Sequence, residues 1–220
     1  SEAEKVLEEY IREAGEELEP RVFLLYLSLL LQSEEYSRVL KEIDSRESLL
    51  SGQSGEEWNG AASYITLYRG EALWGLSRKE EAAKLYMKLL NRGDQIGSVS
   101  HKRLFSFYRE KENQEKMTEI IGSAETVLSS QQNLLEDFWL RIGVSFSEKG
   151  NYQKGKEYLL RVWRLSDKEA KRGTAALHLV EIYILQGDDD RAADIMNEAL
   201  ELEWKGKENL LWRRARLELS

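Results

Sequence analysis

Hydrophobic positions in this chain recur at intervals of three and four, in blocks separated by short polar breaks. The stretch from Phe138 to Trp163 shows the pattern most clearly. Trp139, Ile142, Gly143 and Phe146 fall on one side of a first helix, and Gly155, Leu159 and Val162 on one side of a second. Between them Gly150 reads as a helix stop and Asn151 as a start, which makes the two helices antiparallel neighbours. A single pair of this kind cannot bury its own apolar face, so the flanking sequence must supply similar pairs.

It does. Arg21 to Gln32 and Glu35 to Leu49 predict a pair that meets through Phe23, Tyr26, Leu27 and Leu30 on one side and Tyr36, Val39, Leu40 and Ile43 on the other. After the glycine- and serine-rich loop Ser51 to Glu57, a helix from Trp58 to Leu76 finds its mate in Glu80 to Asn91. A turn is expected over Asn91 to Gly97, and Val99 to Lys111 then pairs with Gln114 to Ser129. Thr174 to Leu185 and Asp190 to Leu202 form the last complete pair, where Asp188, Asp189 and Asp190 suit an N-cap and an acidic first turn. Lone helices are expected over 1–15 and 209–219. Anchored on the small residues near each turn, the pairs start near Pro20, Ser63, Ser98, Glu136 and Gly173. Two helices per interval of roughly 34 to 40 residues is the mark of a solenoid. The expected organisation is one repeat domain over 1–220 with repeats near 20–62, 63–97, 98–135, 136–172 and 173–206.

Composition narrows the functional classes. Pro20 is the only proline among 220 residues, which fits helix following helix through short turns. A net charge of -8 argues against nonspecific capture of nucleic acid or of an anionic membrane. The apolar run Val22 to Leu31 is too short to span a bilayer and reads as a buried helix. The acidic start SEAEKVLEEY does not resemble a signal peptide, so the expectation is a soluble chain, cytoplasmic or periplasmic. The chain holds no cysteine, which removes disulfides, thiolate zinc sites and cysteine nucleophiles together.

The repeats resemble the tetratricopeptide repeat, whose pattern sets a large residue, Leu-Gly and Tyr in the first helix, Gly at the turn, and Ala, a large residue and Ala in the second. Trp139, Ile142 with Gly143, Phe146, Gly150, Tyr152, Leu159 and Val162 follow it, with Gly155 for the first Ala; Leu179, Tyr183, Gly187, Ala192 and Ala199 follow it again. Gly70, Ala82 and Tyr86 carry a weaker copy, and the proline that usually ends such a repeat is missing throughout. The resemblance implies an all-α fold, a right-handed α-solenoid of antiparallel helix pairs, whose first helices line a concave groove. Groove positions implied in this way include Tyr64, Leu67, Trp74, Lys102, Arg109, Leu140, Val144 and Leu177. Lys102 and Arg109 alone do not make the Lys and Asn clamp with which some members hold acidic C-terminal peptides, whereas the apolar positions suit an amphipathic helix or an extended peptide.

Candidate chemistry is sparse. His101 and His178 lie in different repeats with no ligand set around them, and Glu181 three residues after His178 makes a weak pair at most. The aspartates 188 to 190 lack the spacing and closing Glu of a calcium loop. Carboxylate pairs such as Glu80 with Glu81 are what solvated helix faces show. The expectation is a non-catalytic scaffold for another protein or peptide, with no cofactor, metal or nucleic acid. One alternative is a structural module self-associating through its terminal helices; another is a helical enzyme with an acidic pocket. Trp58, Trp163, Trp204 and Trp212 read as core or repeat-junction residues, and those near 204 and 212 imply an interface if they are exposed.

Overall fold

In the computed structural model every element among the described residues is a helix. The structure describes residues 2–14, 18–46 and 56–218, and the side chains of these except 2–5, 56, 57, 59 and 214–218. Most of the expected loop Ser51 to Glu57, the end of the helix toward Leu49, and Ser1, Gly15 and Leu219 lie outside the described residues. Among the described residues twelve helices follow in order: α1 (Glu2–Ala14), α2 (Pro20–Gln32), α3 (Tyr36–Ser45), α4 (Glu56–Gly75), α5 (Lys79–Met87), α6 (Gln95–Glu110), α7 (Gln114–Val127), α8 (Gln132–Glu148), α9 (Tyr152–Leu165), α10 (Glu169–Leu185), α11 (Asp189–Leu200) and α12 (Lys207–Glu218). They form two compact units, Ser1–Val127 and Leu128–Ser220. The first holds α1 and the pairs α2/α3, α4/α5 and α6/α7; the second holds α8/α9, α10/α11 and α12. This stacking of helix pairs is the α-solenoid architecture.

The five pairs share one turn. In each, the residue before the second helix's cap sits in the left-handed region, and the amide after it reaches back five residues to a carbonyl of the first helix. Asn151 N–H donates to the Phe146 carbonyl at 2.9 Å over Gly150 (φ 75°), and Asp188 N–H to Tyr183 at 2.9 Å over Gly187 (φ 68°). The same bond runs from Glu35 to Leu30, from Arg78 to Leu73 and from Asn113 to Tyr108, over Glu34 (φ 59°), Ser77 (φ 61°) and Glu112 (φ 54°). This is the Schellman closure, which satisfies the carbonyls left open at a helix end. A Cβ raises the energy of the left-handed conformation by about 1 to 2 kcal/mol, so three of the five turns form against the preference of their own residue.

Sequence features set the helix starts. Pro20 occupies the first turn of α2, where its missing N–H is no loss. Asn151 accepts from Lys154 N–H and Asp188 from Arg191 N–H, each as an N-cap, with Asp189 and Asp190 in the first turn of α11. Two helices begin earlier than the glycines led one to expect. Asp94 caps α6, accepting from Ile96 and Gly97 N–H, so Gly97 lies inside the helix and not in a turn. It is glycine because a Cβ there would collide with the backbone oxygen of Arg92. Gly173 likewise lies inside α10, under the indole of Trp204, where a Cβ would overlap the ring.

The core follows the predicted faces. Phe23, Tyr26, Leu27 and Leu30 of α2 are fully buried, together with Val39 and Ile43 of α3. In the second unit Phe138, Ile142, Leu159 and Val162 are fully buried between α8 and α9. Gly143 and Gly155 face one another: a Cβ on Gly155 would stand 3.2 Å from the Gly143 carbonyl oxygen and collide with Ser147 Oγ. Gly70 lies beneath the ring of Tyr86, 2.9 Å from where its Cβ would be.

Substituting Glu34, Ser77 or Glu112 by glycine is expected to stabilise the chain by about 0.5 to 1 kcal/mol each, by removing the left-handed penalty. Gly150→Ala and Gly187→Ala should cost about 1 kcal/mol each, although no atom stands within 4 Å of the added Cβ at either site. Urea denaturation of the five variants reads both signs.

Candidate functional site

First helices lie side by side within each unit: α2 beside α4 and α4 beside α6 in the first, α8 beside α10 in the second. The sequence-predicted residues are divided between the first-helix faces of the two units. On the first, Tyr64 is 42% exposed while Leu67 is buried at 7%. Trp74, Lys102 and Arg109 are half-buried.

Trp74 is held in a polar cluster that ties three helices together. Arg103 of α6 donates from Nε to Glu71 Oε1 of α4 at 2.9 Å and from Nη2 to the other oxygen, a fork-to-fork pair. Tyr86 of α5 donates its hydroxyl to the same Glu71 oxygen at 2.7 Å. The Arg103 guanidinium and the Lys79 ammonium both lie 5.1 Å from the Trp74 ring centroid, and the Tyr86 ring is tilted against it at 6.2 Å. Burial, followed by the Glu71 charge, pushes the Tyr86 hydroxyl far above its ordinary range, so it stays protonated and donates to Glu71. Lys79 also pairs with Glu110 at 2.6 Å, and Lys111 with Glu80 at 2.6 Å, joining the start of α5 to the end of α6. Sequence reasoning placed Trp74 as an anchor and missed Arg103; opposite charges on successive first helices, one repeat apart, are the signal that could have found it.

On the second face Leu140 and Val144 of α8 and Leu177 of α10 are half-buried. The surrounding polar groups include Glu181 Oε2, 4.0 Å from His178 Nδ1 and 3.7 Å from Arg213. A second missed network fixes the helices beneath. Glu136, 1% exposed, accepts from Ser166 Oγ at 2.8 Å and from Gln132 Nε2 at 3.0 Å, with Lys171 Nζ at 3.4 Å. Lys171 donates further to the Asn133 carbonyl at 2.7 Å and pairs with Asp137 at 2.7 Å. Glu136 thus binds α8 to the α9–α10 junction, and its burial is supported by partners on every side.

Neither histidine is placed for chemistry. His101 is fully buried, with Nδ1 2.8 Å from the Gly97 carbonyl and Nε2 3.0 Å from Ser123 Oγ. The carbonyl can only accept, so Nδ1 carries the proton and Nε2 accepts from the serine hydroxyl. Burial lowers its pKa and also that of His178, against the raising effect of Glu181. Among the described residues no group of three or more His, Cys, Asp or Glu is placed to hold a metal ion. No helix among them is long and apolar enough to cross a membrane.

Of the four tryptophans singled out, Trp163 is buried beneath Arg172, whose guanidinium lies 4.8 Å from the ring centroid, and Trp58 is half-buried against the core of the first unit. Trp204 covers Gly173 and donates Nε1–H to the Ala199 carbonyl at 3.1 Å, so it seals the α10/α11 junction. Trp212 is 80% exposed.

These features define a helical-repeat protein. Residues 136–168 match the family model described as tetratricopeptide repeat, and the match falls on α8, α9 and the turn between them. None of the curated proteins matches the chain in sequence. Among solved structures, the chain is similar to the crystal structure of BtubC (BKLC) from P. vanneervenii, with a TM-score of 0.67 at 13% identity, covering 90% of this chain and 87% of that one. At that identity the likeness is one of fold.

Both histidines bind protons less readily in the folded chain than in the unfolded one, whose pKa is about 6.5. Stability from this source is full above that pH and is lost as the pH falls below it. His101→Gln is expected to flatten the stability profile between about pH 5 and 7, and adding His178→Gln to flatten it further. Chemical denaturation across that range checks it.

Proposed function

We propose that the chain is a non-catalytic interaction scaffold that takes a peptide or helical segment of another protein along the faces of its first helices. The observation that carries this reading is the adjacency of α8 and α10, which brings Leu140, Val144 and Leu177 from two repeats onto neighbouring helices, each apolar and none fully covered. Apolar anchors with charged groups around them suit an amphipathic helix, whose own apolar stripe repeats every three or four residues. The match of α8 and α9 to the tetratricopeptide repeat supports the same reading, since that architecture is one of protein interaction. In the first unit Tyr64 is the exposed contact and Leu67 forms the floor beneath it, with Trp74, Lys102 and Arg109 at the margin. Trp74 is better read there as part of the support, because its ring is committed to Arg103, Lys79 and Tyr86.

Panning a random peptide library against the whole chain, followed by calorimetry on the selected peptides, tests the assignment. Leu140→Asp with Leu177→Asp is expected to weaken binding at least tenfold, or about 1.4 kcal/mol, while the far-UV circular dichroism stays unchanged. Tyr64→Ala distinguishes use of the first face. Selected peptides that bind the folded double variant undiminished would remove the second face from the proposal.

A further inference from the structure

The second unit holds a cavity of about 190 Å³ whose lining includes none of the candidate groove residues. It lies where α9, α10 and α11 meet: Leu160, Trp163 and Arg164 come from α9, Tyr183 from α10, and Arg191, Asp194 and Ile195 from α11. Clefts that take drug-sized ligands run from about 300 to 1,000 Å³. This one suits a smaller occupant, of the size of a single amino acid.

Its walls carry polar groups that the chain leaves unused. Trp163 and Tyr183 are only 8% and 5% exposed, and their rings are committed, Trp163 to Arg172 and Tyr183 to Lys156 and Arg191. Their polar ends are not. Neither the Trp163 indole N–H nor the Tyr183 hydroxyl has a hydrogen-bond partner among the described residues, and neither atom is fully enclosed. Aromatic N–H and O–H groups on buried rings ordinarily find a partner. Arg164 and Asp194, both exposed, likewise form no ion pair or hydrogen bond with any described residue, whereas Arg191 is held by Asp188 at 3.3 Å.

The chemistry of these groups selects the occupant. The indole N–H, the phenol O–H and the Arg164 guanidinium can all donate, which suits a carboxylate, while ionised Asp194 only accepts, which suits an ammonium. A simple anion would leave Asp194 unanswered and meet its charge, and a simple amine would do the same at Arg164. We infer that the cavity takes a free α-amino acid with an apolar side chain. Arg164, Tyr183 and Trp163 receive its carboxylate, Asp194 its ammonium, and Leu160 and Ile195 its side chain.

Calorimetry on the whole chain with three probes tests this: L-leucine, 4-methylpentanoate, which lacks the ammonium, and isoamylamine, which lacks the carboxylate. Leucine is expected to bind at least about tenfold more tightly than either. Arg164→Gln should weaken leucine about tenfold and leave isoamylamine unchanged, and Asp194→Asn should weaken leucine about tenfold without weakening 4-methylpentanoate. Both substitutions fall at exposed positions, and the far-UV circular dichroism should not change. Leucine should also shift the Trp163 indole N–H signal in a nitrogen–proton correlation spectrum, assigned by its loss in Trp163→Phe. A chain that binds none of the probes, leucine binding indifferent to both substitutions, or an unmoved Trp163 signal would each overturn the inference. So would tighter binding of N-acetyl-L-leucine than of leucine, which would give the cavity to the end of a peptide chain instead.

Discussion

The left-handed turn inside each helix pair is the constraint on which the rest of the structure depends. It reverses the chain within three residues, so the two helices lie antiparallel and close, and their apolar stripes face one another without a loop to adjust them. The amide that reaches back five residues closes the first helix at the point where the second begins. Once that geometry is set, the phase of both stripes is set with it, and Gly143 and Gly155 fall opposite each other because no other residue allows the approach. Glu34, Ser77 and Glu112 adopt the same conformation without being glycine, which means that packing of the pair supplies more than the local preference removes.

Close approaches are set by rings over glycines, within pairs as Tyr86 over Gly70 and Trp204 over Gly173, and between pairs as Tyr36 of α3 over Gly75 of α4. Buried or half-buried charges then fix the register: Glu71 with Arg103 in the first unit and Glu136 with Lys171 in the second. These ion pairs contribute direction more than net energy, because the desolvation of each partner offsets much of the attraction. Removing one partner leaves the other unsatisfied, so the pairs specify which faces meet. The first-helix surfaces used by the proposed ligand are consequently held on rigid supports, and Trp74 belongs to the support.

Much of the fold was legible from the chain alone. The intervals of three and four placed the helices and their buried faces, and Asn151, Asp188 and Pro20 marked three helix starts through local chemistry that needs no tertiary context. Two glycines misled: Gly97 read as the end of a turn and Gly173 as the start of a repeat, yet each lies inside a helix, Gly97 against the Arg92 carbonyl oxygen just before that helix and Gly173 against the Trp204 ring from beyond the next one. Of the eight candidate binding residues, Tyr64, Leu140, Val144 and Leu177 retain exposed surface, while Leu67 is buried; helical phase alone does not say how far a neighbouring repeat overlaps a position.

The sequence by itself determined that this is an array of helix pairs, because a stripe period of three to four and short polar breaks admit little else, and it determined the caps that begin those helices. Tertiary structure decided what the pattern could not contain. Whether a left-handed residue is tolerated at Glu34, Ser77 and Glu112, whether Trp74 is free or clasped, and whether Trp212 is covered all depend on contacts with other helices or on their absence. Local propensity acts over one helical turn, whereas these outcomes are set by contacts between elements.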